Sequence, residues 1–136
     1  MSWRQSLIRI SNHEVETLQK RLADIVDRRN QAEVKLAVLE AEAEAETRGL
    51  GEGADAARDL AAYLRGVKIR RGILQGALAA VAAEEAGARD ALGRAFESLK
   101  KFEEVAAMAR LADEKEAARR ETQALDEMGL RASSRR

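Results

Sequence analysis

Residues 60–109 read LAAYLRGVKIRRGILQGALAAVAAEEAGARDALGRAFESLKKFEEVAAMA. Taking every third or fourth residue gives Leu60, Leu64, Val67, Arg71, Leu74, Leu78, Val81, Glu85, Ala88, Leu92, Ala95, Leu99, Phe102, Ala106 and Ala109. The steps alternate four and three without a slip, the pattern of a helix that buries one narrow seam against another helix. Only Arg71 and Glu85 interrupt the apolar line, and the sequence contains no proline to end or kink the helix.

A second seam precedes it: Ile8, Ser11, Val15, Leu18, Leu22, Ile25, Arg29, Ala32, Leu36, Leu39 and Ala43. Between the seams, Gly49, Gly51 and Gly53 supply the positive φ values that a tight reversal needs. Asp55 is an N-cap candidate for the second helix. Two heptad-patterned helices joined by a short link read as an antiparallel hairpin. The expected fold is all-α: a long two-helix antiparallel coiled-coil hairpin with a C-terminal helical overhang, in a single domain. Its parts are helix 1 about 3–48, a turn about 49–54, helix 2 about 55–129 and a basic tail 130–136. Ser2 to Gln5 and Ser11 to Glu14 both match the capping-box spacing, and the pattern does not choose between them.

The arms are unequal. At 1.5 Å per residue helix 1 spans about 70 Å and helix 2 about 110 Å. Folding back about Gly51 pairs them as far as Lys100 and leaves the rest without a mate. Continuing the second seam past Ala109 gives Asp113, Glu116, Arg120, Gln123 and Glu127, while apolar residues reappear off-register at Leu125, Met128 and Leu130. Residues 132–136 are small, polar and basic and are expected to be unstructured. Gly66, Gly72, Gly76, Gly87 and Gly93 each cost a helix interior about 1 kcal/mol; they read as allowing close helix approach in the paired region, or flexing. The fold-back also brings Arg28 and Arg29 near Arg70 and Arg71, a basic belt at mid-shaft. Glu40, Glu42, Glu44 and Glu46 read as a solvated face or as a docking site for a basic partner.

Composition agrees. Aromatics are 3% and charged residues 35% of the 136 residues, which suits coiled coils better than a wide core. The 24 basic and 24 acidic side chains cancel. That, with no aromatic residues interleaving the arginines, argues against nucleic acid as a partner. No cysteine is present, so disulfides and thiolate chemistry are excluded. The first ten residues lack the apolar core of a signal peptide. No run approaches the ~18 apolar residues of a membrane span, so direct membrane insertion is not expected. His13 with Glu14 and Glu16 makes at most a weak metal group. The glycine turn lacks the lysine and the serine or threonine of a phosphate loop. The expectation is a non-enzyme without cofactor or metal.

The residues at both ends resemble one family. Ser6-Leu7-Ile8-Arg9-Ile10 leading into Glu14-Val15-Glu16 is similar to the start of the flagellar export protein family FliJ. Arg119-Arg120-Glu121-Thr122-Gln123-Ala124-Leu125-Asp126-Glu127-Met128 is similar to that family's ending, and Tyr63 with Val67 resembles its aromatic–aliphatic pair early in helix 2. The resemblance covers nearly the whole chain. It implies a soluble stalk of the flagellar type III export apparatus, similar to the central stalk of rotary ATPases. The joined ends would enter the hexameric ring of the export ATPase. The opposite region would meet the membrane export gate, so that the protein sits in the cytoplasm at the inner-membrane apparatus; export chaperones are further partners. Carried over by residue, the gate site falls on Tyr63, Val67, Arg70 and Leu74, with Arg70 departing from the small residue of the family. The ATPase end falls on Arg120, Leu125, Asp126 and Met128. A related virulence-type secretion stalk and a generic coiled-coil scaffold fit the same residues.

Overall fold

The computed structural model describes residues 2–135. They form two helices, α1 (Trp3–Arg48) and α2 (Ala54–Ser134). The two helices lie antiparallel and cover each other's apolar seams, the expected hairpin. Contacts divide into two units, one of Glu16–Gly93 and one of the residues up to Val15 with those from Arg94 onward.

In the unit Glu16–Gly93 the seams meet as the heptads require. Ile25, Leu39, Ala43, Val67 and Ala88 are buried, and Leu39, Ala43 and Val67 form a cluster flanked by Tyr63 and Leu74. Burying a leucine or valine fully stabilises by about 1.5–3 kcal/mol, so these few positions dominate a thin core. Leu64 is the exception, 38% exposed.

The turn uses its glycines unevenly. Gly53 alone has a positive φ, 106°. Its carbonyl accepts from Ala57 N at 3.2 Å, so Gly53 is the N-cap, and Asp55 lies inside the first turn of α2 rather than at the cap. There its charge favours the helix dipole.

The register differs from a symmetric fold about Gly51. Symmetry would set Arg71 opposite Gln31 and Arg29 opposite Ile73. Instead Arg71 bonds Glu40, and Arg29 bonds Glu85. The cause is the loop: Ala56, Asp59, Leu60 and Tyr63 line a hollow with Glu46, Gly49, Leu50 and Gly51, so the first turns of α2 run beside the loop. The two arginine pairs therefore do not meet, and no basic belt forms from them. Arg28 faces Glu84, Arg29 faces Glu85, and Arg71 faces Glu40. The helix glycines do not serve close approach either. A Cβ added at Gly66, Gly72, Gly76, Gly87 or Gly93 meets nothing within 4 Å.

In the second unit α1 starts with the capping box at Ser2. Gln5 N donates to Ser2 Oγ at 3.3 Å, and Ser2 N donates to Gln5 Oε1 at 3.1 Å. Ser11, the other candidate, is buried in the seam at 6% exposure. Val15, Ala95 and Leu99 are buried beside it, and Phe102, Ala106 and Ala109 are half-buried. Ser2, Arg4, Gln5 and Ile8 share a groove with Glu103, Ala106, Ala107, Arg110 and Asp113. Pairing thus continues past Lys100 to about the point where the seam turns polar. From Leu111 to Arg135 every residue except Glu116 is exposed. The helix nevertheless persists through Ala132–Ser134, in place of an unstructured tail, because alanine and arginine favour helix and no proline intervenes. Arg136 lies outside the described residues.

Candidate interaction surfaces

Tyr63, Val67, Arg70 and Leu74 fall on one stripe of α2, but they do not share one fate. Val67 is 1% exposed and committed to the seam. Tyr63 and Leu74 are half-buried at its edge. Arg70 is exposed, with its guanidinium carbon 6.0 Å from the centre of the Tyr63 ring. That is the outer limit of a cation–π contact.

Beside this stripe runs a shallow groove of about 320 Å³, lined by Lys35, Leu39, Glu42, Arg70, Ile73 and Leu74. Its floor is apolar and its rim charged. Ile69 and Ile73 stand four apart on α2 and are 67% and 66% exposed; Val34 and Val38 stand four apart on α1. These β-branched residues lie outside the seams. Their signal in the sequence is an apolar i, i+4 pair that the heptad does not use, and attention to the seam alone passes over it.

The distal stripe is different. Leu125, Met128 and Leu130 are 61%, 64% and 71% exposed. Asp126 is exposed, as is Arg120, whose Nε lies 3.4 Å from Glu116. Glu116 also accepts from Arg119 at 2.8 and 3.1 Å. The Arg119 hydrogen bond, then the one from Arg120, holds the Glu116 carboxyl below its ordinary pKa. Leu125 and Met128 share a face at three-residue spacing. Among the described residues no other segment of this unit covers them, so the helix offers apolar surface framed by charge.

In the unit Glu16–Gly93 several charges are held in ion pairs. Arg71 Nη2 donates to Glu40 Oε2 at 3.1 Å and Nε bonds the other oxygen. That bond lowers the Glu40 pKa and raises that of Arg71. The comb of Glu40, Glu42, Glu44 and Glu46 is thus partly committed, Glu40 to Arg71 and Glu44 to Arg48. His13, Glu14 and Glu16 are exposed, and among the described residues no group of three or more metal-ligating side chains occurs. No helix among them is long and apolar enough to cross a membrane.

A family model described as Flagellar FliJ protein matches residues 5–136. The Flagellar FliJ protein of Caulobacter vibrioides strain NA1000 / CB15N is 47% identical over 129 residues, covering 95% of this chain and 93% of that protein. The protein of the same name from strain ATCC 19089 / CIP 103742 / CB 15 gives the same figures. No solved structure matches. With a match this long, on a helical hairpin, the chain belongs to the FliJ family of flagellar proteins.

Proposed function

We propose that this flagellar export component is a non-catalytic stalk. The exposed end of α2 binds the ring of the export ATPase, and the lateral stripe of the hairpin binds the membrane export gate. Holding both couples ATP hydrolysis to export of flagellar proteins and keeps the protein at the inner-membrane apparatus, where export chaperones also meet it.

The observation that carries the reading is the state of Leu125 and Met128, more than half exposed on a helix with no mate. Such a face contributes nothing to its own fold, and a ring interior would bury it. Arg120 and Asp126 would set its orientation by charge. On the lateral stripe, Tyr63, Arg70 and the rim of Leu74 are accessible, and Val67 supports them from within the seam.

The test mixes the purified chain with the export ATPase and follows hydrolysis. The chain should raise the rate. Leu125→Ala with Met128→Ala should weaken that effect roughly tenfold, the scale of removing two anchors from an interface. A chain without effect on hydrolysis or ring assembly would contradict the proposal. Tyr63→Ala and Arg70→Ala should leave the ATPase effect intact and weaken capture of the gate protein.

A further inference from the structure

Three charged residues, Arg29, Arg71 and Glu85, sit in the seams of the unit Glu16–Gly93, and Arg29 and Glu85 meet each other. Arg29 Nη1 lies 2.6 Å from Glu85 Oε1 and donates to Oε2 at 2.7 Å. Their side chains are only 30% and 13% exposed. Arg29 Nε and Glu85 Oε1 are buried without a hydrogen-bond partner, so the pair is held at some cost. Arg28 with Glu84 lies next to it and is half-exposed, and Arg71 with Glu40 lies two heptads along and is about a third to a half exposed.

A heptad seam has an inherent ambiguity: a slide of seven residues, about 10 Å, returns apolar positions to apolar positions. Consider the slide that moves each α1 residue seven places back along α2. Arg71 would leave Glu40 and meet Glu33. Glu84 would leave Arg28 and meet Arg21. Both outer ion pairs would be replaced in kind. Lys35 would come level with Arg70, an exposed like-charge pair of small weight. The seam pair finds no new partner on the facing helix: Arg29 would face Leu78 and Glu85 would face Leu22, each left with only its long contact within its own helix, to Glu33 at 3.8 Å and to Arg89 at 3.7 Å. Each charge would be buried against a leucine, a strongly destabilising arrangement.

We infer that Arg29 and Glu85 are a register lock, the buried contact that most separates the observed alignment of α1 and α2 from an alignment slid by a heptad. The lock keeps Leu39 and Glu42 beside Arg70, Ile73 and Leu74, and so sets the composition of the lateral groove.

The absence of cysteine from the sequence permits a clean test by engineered disulfides in the full chain. Lys35 and Ala77 stand one heptad along from Arg28 and Glu84, so K35C/A77C reports the observed register. K35C/R70C reports the slid one. With Arg29 and Glu85 present, K35C/A77C should oxidise at least tenfold faster than K35C/R70C. In an R29L/E85L background leucine stands at both positions in either register, and the ratio should fall roughly tenfold. The exchanged pair R29E/E85R should restore it. A ratio unmoved by R29L/E85L would overturn the inference, as would an exchanged pair that behaves like the leucine pair. Loss of helicity in R29L/E85L by circular dichroism would also overturn it, because leucine in a seam should stabilise the hairpin.

Discussion

Leu39 and Leu125 are the same residue on the same kind of helix, and they do opposite work. Leu39 is 4% exposed, Leu125 61%. Leu39 falls on a heptad that a second heptad answers within the chain; Leu125 falls off-register, where α2 has no answering helix. The difference teaches how to read apolar residues in a coiled coil. Those on the seam build the protein, and those off it are available to something else.

Mutations at the two sites should separate stability from binding. Leu39→Ala leaves a hole in a thin core and should cost about 2–5 kcal/mol in urea unfolding. Leu125→Ala should change stability by no more than about 0.5 kcal/mol and should weaken binding to the export ATPase instead. Equal stability losses at both sites would erase the distinction.

Next in size are the polar seam residues. Glu85→Ala leaves the Arg29 guanidinium only its long contact to Glu33, at 3.8 Å, and should cost about 1–3 kcal/mol, whereas Glu84→Ala, on the exposed edge, should cost at most about 1 kcal/mol. The helix glycines probe the opposite direction. Open space surrounds Gly72 and Gly87, so Gly72→Ala and Gly87→Ala should each raise stability by about 0.5–1 kcal/mol. A loss there would restore the close-approach reading of these glycines.

The smallest effect is the pH dependence of the Glu40–Arg71 pair. The Arg71 hydrogen bond holds the Glu40 carboxyl below its ordinary value of 4.5. A carboxyl depressed in the folded state stabilises above that ordinary value, and the contribution is lost as pH falls through the lower folded value. Unfolding midpoints measured from about pH 6 down to about pH 3 should therefore fall slightly less steeply for Glu40→Gln than for the unaltered chain.

Most of the fold was legible because it obeys one period. Every seam position named on α1, from Ile8 to Ala43, is at least half-buried, and on α2 from Leu60 to Ala109 every one but Leu64 is. The register was not legible. Fold-back about Gly51 assumes that a loop spans no length of helix, while here Ala56–Tyr63 of α2 lie beside the loop. The change of seam composition at Asp113 located the end of pairing better than helix length did. The capping choice needed the burial of Ser11, which two equal spacings could not supply. At the candidate surfaces, the stripe of Tyr63 and Arg70 was readable by likeness alone. Ile69 and Ile73 lie off the seam, so the period that reveals the fold hides them.

Hydrogen exchange on the full chain, alone and with the export ATPase, is the most direct test of what the end of α2 is for. An unsupported helix frays, so amides from about Leu111 to Ser134 should exchange fast in the free chain while those around Leu39 and Val67 stay protected. Adding the ATPase should slow exchange around Leu125 and Met128. Protection of that end in the free chain, or no change there on saturating ATPase, would contradict the stalk.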